Sequence, residues 1–258
     1  MSRGSHGCVA LIAALSSGAC LIAPNPQFID ANAGESEDTG DSQNSGGSED
    51  PLGCEDGFAD CDGEPGCEAS LDDPETCGSC SKSCEIAGQL LECDAGQCVG
   101  ELLFVDLPDA HVDRQQPDQN FGLEPILAVD GDRDAYLELP NLGLMPLGVT
   151  IHSAALHLSC TDPGSALDVY RIENSWDEQA MTSDNAPGLG NARLLTFSPR
   201  VGENVLELVG LLPSWQVGMP NRSLGLTPAS NAGPSPDPVE FSSREGGSPP
   251  YLVLSVSW

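Results

Sequence analysis

Two stretches of strict alternation confine the C-terminal part of this chain to β structure. Ala154, Leu156, Leu158 and Cys160 alternate with Ala155, His157 and Ser159, and Leu252, Leu254, Val256 and Trp258 alternate with Val253, Ser255 and Ser257. A period of two puts one set of side chains on a core and the other outside, as in a half-buried strand. Weaker runs cover residues 102–105, 126–129, 135–139, 167–172, 191–197, 204–208 and 223–227. Turn residues separate them at short intervals, and 29 Gly with 21 Pro in 258 residues favour turns over helices. The expectation is an all-β fold, a β-sandwich or jelly roll over residues 101–258. Residues 209–217 read as a short helix or a wide loop, broken by Pro213.

The cysteines set the next constraint. Eight of the eleven fall in residues 54–98: Cys54, Cys61, Cys67, Cys77, Cys80, Cys84, Cys93 and Cys98. A segment that short cannot build a sufficient core and needs covalent staples. This density of cysteine points to an oxidising compartment. A zinc site at Cys77 and Cys80 would want a second close pair or histidines, and the segment has neither. Four disulfides are therefore expected, with roughly a hundred possible pairings left open. Asp60-Cys61-Asp62-Gly63 hints at calcium, but an EF-hand register puts Phe58 first and Ala69 twelfth, so a disulfide-held turn is the better reading. Asp-Cys-Asp-Gly, Gly66-Cys67-Glu68 and Cys77-Gly78-Ser79-Cys80 resemble the Cys-rich modules of secreted bacterial surface proteins. Cys160, on the apolar side of its strand, reads as a buried free thiol; pairing with Cys20 is the alternative.

Residues 1–23 read as an export signal, with Arg3 and His6 ahead of an apolar run at 9–15 that is too short to span a bilayer. Cys20 follows Leu15-Ser16-Ser17-Gly18-Ala19, which resembles a lipobox except at Ser17. Cleavage after Ala31-Asn32-Ala33 is the alternative. Residues 24–53 form a disordered acidic Gly/Ser linker that can serve as a tether. These features predict an exported protein, extracellular or on the outer cell envelope, touching membrane only through a lipid anchor at Cys20. Forty acids against nine basic residues give a net charge of −31. That excludes nucleic acid as a partner and disfavours electrostatic attraction to an anionic membrane.

The most informative loop is Asn174-Ser175-Trp176-Asp177-Glu178, followed by Thr182 and Asn185-Ala186-Pro187. A large apolar ring followed by two carboxylates suggests a self-packed loop that seals one end of a sandwich. Phe241-Ser242-Ser243-Arg244-Glu245 answers it near the C-terminus, and Arg244 is expected to pair with Asp177 or Glu178. With Asn120-Phe121-Gly122, Tyr136-Leu137, Ser153-Ala154-Ala155-Leu156, Trp215 and a last strand from Tyr251, these stretches resemble, in order and spacing, the DNRLRE domain family, also called carbohydrate-binding module family 96. The resemblance covers roughly the last 155 residues. Ser183 and Glu138 depart from it, at positions where an aromatic and a basic residue are usual.

The resemblance implies a non-catalytic module whose partner is a polysaccharide or a cell-surface glycan. Its members have been linked to acidic polysaccharides such as alginate, but residues 101–258 carry 21 acids against seven arginines, so a neutral glycan suits the charge better. The candidate platforms are Tyr136, Tyr170, Trp176, Trp215, Tyr251 and Trp258, most of them expected in the core. A structural or adhesive envelope protein that binds a protein partner is the alternative. A hydrolase has little support, because neither Gly-x-Ser-x-Gly nor His-Glu-x-x-His occurs. No cofactor is expected beyond a possible calcium ion at Asp130, Asp132 and Asp134; a hairpin turn with Asp-Gly at its tip explains the same residues.

Overall fold

The computed structural model describes residues 53–64, 66–142, 145–172, 174–190, 193–211 and 223–258. The export signal, Cys20, the linker ahead of Gly53, Pro213 and Trp215 lie outside the described residues. The cysteine segment opens with two small hairpins, β1 (Phe58–Ala59) with β2 (Ala69–Ser70) and β3 (Glu85–Ile86) with β4 (Gln89–Leu90). β5 (Glu92–Asp94) and β6 (Gln97–Phe104) then lead into the main body. There follow β7 (Asp109–Asp113), β8 (Ile126–Val129), β9 (Arg133–Glu138), β10 (Thr150–Asp162), β11 (Leu167–Ile172) and β12 (Arg193–Phe197). β13 (Gly202–Glu207), β14 (Ser223–Pro228), β15 (Val239–Ser242) and β16 (Tyr251–Ser257) complete the chain.

The strands form the expected two-layer all-β structure. One sheet has seven strands in the order β5-β6-β16-β10-β15-β8, with β13 also paired to β10; the other has five, in the order β12-β11-β14-β9-β7. β10 organises the larger sheet. β16 runs along one edge of its first part, from Thr150 to His157, and β15 meets the same edge at Cys160 and Asp162. β13 takes the opposite edge from Ala155 to Cys160. The side chains read as inward from the alternation are inward: Ala154, Leu156, Leu158, Cys160, Leu252, Leu254 and Val256 are buried. They meet Leu137, Leu167, Val169, Leu224 and Leu226 of the smaller sheet in one apolar cluster. Cys160 is a buried free thiol there.

All of the weaker strand expectations correspond to strands, but β7 and β15 were not read as such. β7 reads Asp109-Ala110-His111-Val112-Asp113 and places polar side chains at the positions that pair across from Ala135 and Leu137. Those polar groups are buried by partners elsewhere in the chain, which a propensity reading cannot see. At Val209–Leu211 the chain makes one 3-10 turn.

The cysteine segment is joined to the sandwich through its core. Cys77, Cys84, Ile86, Leu91 and Cys98 belong to the same apolar cluster as Leu102 and Leu156. All eight cysteines are paired: Cys54–Cys67, Cys61–Cys80, Cys77–Cys93 and Cys84–Cys98. Cys77 and Cys80 thus serve different bridges. The three sulfurs of Cys77, Cys84 and Cys98 lie close together, but each is already in a disulfide. The last residue closes the joint: Trp258 N–H donates to Cys98 O at 2.9 Å, Cys98 N–H donates to Trp258 O at 3.0 Å, and the Lys82 ammonium sits 5.9 Å from the indole centroid.

This joint separates two bridges of nearly equal span. Cys84–Cys98 and Cys54–Cys67 close 14 and 13 residues, so chain entropy makes them nearly equivalent. Only the first pair is fully buried in the core. Replacing either pair by alanine should cost about 3 kcal/mol of loop entropy, with an added cavity cost at Cys84–Cys98 alone. Thermal melts should show the Cys84/Cys98 variant several degrees below the Cys54/Cys67 variant; equal melting temperatures would contradict the shared core.

Candidate functional site

The motif residues converge at the edge strand β7. Glu178 Oε1 accepts the Asp109 N–H at 2.8 Å, and Glu178 Oε2 lies 2.7 Å from Arg244 Nη2. Asp109 Oδ2 accepts the Arg244 N–H at 2.8 Å, and Arg244 Nη2 also meets Glu245 Oε1 at 3.0 Å. Asp177 stays out of this network and accepts the Gln179 N–H instead. Of the two carboxylates expected to pair with Arg244, the structure brings Glu178.

The other motifs hold the same joint. Asn120 Nδ2 donates to the carbonyls of Glu178 and Met181 at 2.8 and 2.7 Å. Phe121 stacks on His111 with ring centroids 4.6 Å apart. Gly122 passes so close to the Glu178 carbonyl that an added Cβ would lie 2.0 Å from its oxygen. Phe241 is wholly buried, and Ser243 donates through its hydroxyl to Glu124 O.

Trp176 was expected to plug the sandwich end. It instead packs on the outer face of the five-stranded sheet, in a second cluster with Ala110, Val112, Tyr136, Ile172 and Met181. Tyr136 and Ala110 point away from the main core because their neighbours Leu137 and Ala135 fill it. The indole meets Tyr136 edge-on at 6.2 Å, and Tyr136 donates its hydroxyl to Pro187 O.

Three carboxylates therefore gather at Arg244, Glu178 and Glu245 on its guanidinium and Asp109 on its backbone N–H, and Asp109 and Glu178 are buried. Burial, more than the Arg244 N–H can offset, pushes Asp109 up to about 7. Burial likewise raises Glu178, against the Asp109 N–H and Arg244. This is a structural lock that ties the Glu178 and Arg244 loops to the sheet edge.

At the expected calcium site, the Asp130 carboxylate accepts two backbone N–H groups and the Arg133 guanidinium at 2.8 Å. Asp134 pairs with Arg114, and Asp132 accepts from the Gln115 amide. Asp130 and Asp132 thus shape the β8–β9 turn, and Asp130 and Asp134 hold Arg133 and Arg114.

An open site lies on the outer face of the seven-stranded sheet. His157 of β10 and Tyr251 of β16 are register partners, and their rings stack at 4.3 Å and 13°. Glu203 of β13 ties them together: its Oε1 accepts the Tyr251 hydroxyl at 2.7 Å and meets His157 Nδ1 at 3.1 Å. The Tyr251 hydroxyl, and after it His157, hold Glu203 below the usual carboxylate range. The same bond raises Tyr251. These side chains line a groove of about 370 Å³ with Val105, Ser159, Ser248 and Pro249. Tyr251 was among the aromatic candidates, but its partners were not legible. His157 and Glu203 are 46 residues apart in sequence, and only the β10–β13 and β10–β16 registers bring them together.

The model of carbohydrate-binding module family 96 matches residues 104–256, more than half of the chain. No curated protein sequence matches the chain.

The lock predicts a pH dependence. The folded-state value of Asp109 lies above its unfolded value, so its neutral form gives stability that is whole below about pH 4 and is lost as the pH climbs through 7. Asp109→Asn keeps the acceptor for the Arg244 N–H without the charge. Its melting temperature relative to the parent chain should rise steadily between pH 4 and pH 8; a constant difference would refute the assignment. Arg244→Ala strands the buried Glu178 and should lower the melting temperature by at least about 5 °C at pH 8.

Proposed function

This chain belongs to carbohydrate-binding module family 96, and on that premise we propose that it is a non-catalytic glycan-binding protein displayed outside the cell, with its ligand platform in the Tyr251 groove. The observation that carries this reading is the Tyr251–His157–Glu203 arrangement. An aromatic is fixed upright on an open sheet face by a carboxylate whose side chain is 56% exposed. Sugar recognition combines apolar contact with polar groups held at fixed positions. The groove offers both, with hydroxyls from Ser159 and Ser248 beside aliphatic Val105 and Pro249. Fixing the platform beforehand limits the ordering cost of binding.

Export and anchoring belong to the same reading. Four disulfides suit an oxidising exterior. Cys20 would carry the lipid, and the acidic segment up to residue 53 would hold the sandwich away from the membrane.

Two measurements test this. In affinity electrophoresis, a polysaccharide should retard the folded chain, and Tyr251→Ala should weaken retardation about tenfold while leaving the melting temperature nearly unchanged. Failure of every polysaccharide to retard it, or undiminished binding by the variant, would overturn the reading. Metabolic labelling with palmitate in a lipoprotein-processing bacterial host should mark the chain and not its Cys20→Ala variant; a mature N-terminus at Gly34 would refute the anchor.

A further inference from the structure

The outer face that carries Tyr251 has a regular pattern. Four adjacent strands run in the order β6, β16, β10 and β13. Val205 pairs across from His157, and His157 from Tyr251. Val105 follows the Phe104↔Leu252 pair and lines the groove with Tyr251. Val105, Tyr251, His157 and Val205 therefore form one row across four strands, perpendicular to the chain direction. Val105 and Val205 are 54% and 47% exposed, high values for side chains on a sheet face. The next row repeats the character, with Leu103 across from Val253, Val253 from Ala155, and Ala155 from Glu207. Leu103 is itself 49% exposed.

Among the described residues in and beside these rows, the side chains that carry a carboxylate, an ammonium or a guanidinium are all acidic. Glu203 lies beside the first row, Glu207 ends the second, and Glu101 sits across from Ser255 in the third. No lysine or arginine lines the groove. Elsewhere, Arg114 is held by Asp134, Arg133 by Asp130, Arg193 by Asp168, and Arg244 by Glu178 and Glu245. Each of these guanidiniums already has a carboxylate partner, although the Arg114 and Arg193 side chains are 48% and 47% exposed, and Arg200 is exposed ahead of β13. With a net charge of −31 behind it, the face repels a polyanion and offers no bidentate partner for a uronate.

We infer that the groove binds an uncharged linear glycan, whose chain crosses the strands along the row Val105–Tyr251–His157–Val205. The inference rests on the glycan-binding reading above and adds the ligand's charge class and direction. Three inter-strand steps of about 4.8 Å give a row roughly 14 Å long, and linked pyranose rings repeat at a comparable spacing. Successive rings then place their C–H faces on successive side chains of the row. Their hydroxyls reach the Glu203 oxygen not used by Tyr251 and the hydroxyls of Ser159 and Ser248. A carboxylate accepting from sugar hydroxyls serves a neutral ligand without needing a counter-charge.

The test uses the folded chain with its disulfides intact. Affinity electrophoresis compares neutral hydroxyethylcellulose, xylan and glucomannan with anionic alginate and polygalacturonate and with cationic chitosan, at low and at physiological salt. At least one neutral polymer should bind at both salt concentrations, and neither polyanion should bind. Titration with oligosaccharides of the binding polymer, from disaccharide to hexasaccharide, should show affinity rising until the row is filled and then levelling. Val205→Asp should remove the gain from the longer oligosaccharides by about tenfold and leave the shortest binder unaffected. Tyr251→Ala should weaken all of them.

Tyr251-dependent binding of alginate, polygalacturonate or chitosan in preference to the neutral polymers would overturn the charge class while leaving the glycan-binding reading intact. Affinity independent of oligosaccharide length, or unchanged in Val205→Asp, would overturn the direction along the row. Loss of all binding would overturn the glycan-binding reading itself.

Discussion

The smaller sheet depends on one arginine holding buried carboxylates at its edge. An edge strand leaves backbone groups without partners, and β7 pairs only with β9. Glu178 meets that demand by accepting the Asp109 N–H, and Arg244 compensates the charge this brings inside. Neither half is stable without the other: a buried carboxylate without its guanidinium carries its full desolvation cost. The loop that delivers Glu178 also lays Trp176 and Met181 over Tyr136 and Ile172. Closing the strand edge and covering the outer face of the five-stranded sheet are thus one event, and the two faces of that sheet are buried together.

This arrangement gives the two sheets different tasks. The five-stranded sheet has an apolar core on one side and the tryptophan loop over part of the other. The seven-stranded sheet has the core on one side only, and its outer side keeps exposed Leu103, Val105 and Val205. Of the residues that carry the family resemblance, those in the loops serve the first task, while residues 153–156, Phe241 and the strand from Tyr251 belong to the larger sheet. Asn120 holds loop carbonyls, Gly122 makes room for one of them, and Arg244 closes the lock. They mark how the domain folds. Tyr251, His157 and Glu203 lie on the other sheet, where substitution is not constrained by the lock, so ligand preference can change without disturbing the fold.

What could be read from the chain follows the range of the interactions. The strands of the larger sheet show a local signal, because Ala154 to Cys160 and Leu252 to Trp258 each bury one face against a continuous core. β7 shows none: Asp109 and His111 sit inside only because Arg244, 135 residues away, and Phe121 receive them. The pairing of Arg244 with Asp177 or Glu178 was expected from the loop motifs, but Trp176 was expected to plug the end of the sandwich. Its true place depends on the parity of Tyr136, which a shift of one residue would reverse. The disulfide map was not legible, since nothing local distinguishes Cys84–Cys98 from the other possible pairs. The His157–Tyr251–Glu203 trio is set by two strand registers at once, and neither register is written in any short motif.

The charge distribution connects fold to recognition. Buried acids at Asp109, Asp134, Asp168 and Glu178 each need a donor, and the arginines serve that need: Asp134 has Arg114, Asp168 has Arg193 within 3.0 Å, and Glu178 has Arg244. The other acids that no arginine holds, Glu101, Glu203 and Glu207 among them, remain as a field of one sign. Among the described residues that line the groove that field meets no lysine or arginine, and His157 is already turned to Glu203. A surface of this kind gains little from charge pairing and must bind through contact area and directed hydrogen bonds. Those are the terms that an exposed aliphatic row with a pre-aimed tyrosine and carboxylate provides. The acidity that gives the arginines their partners in the fold is the same acidity that, on the proposed reading, disfavours a polyanionic ligand.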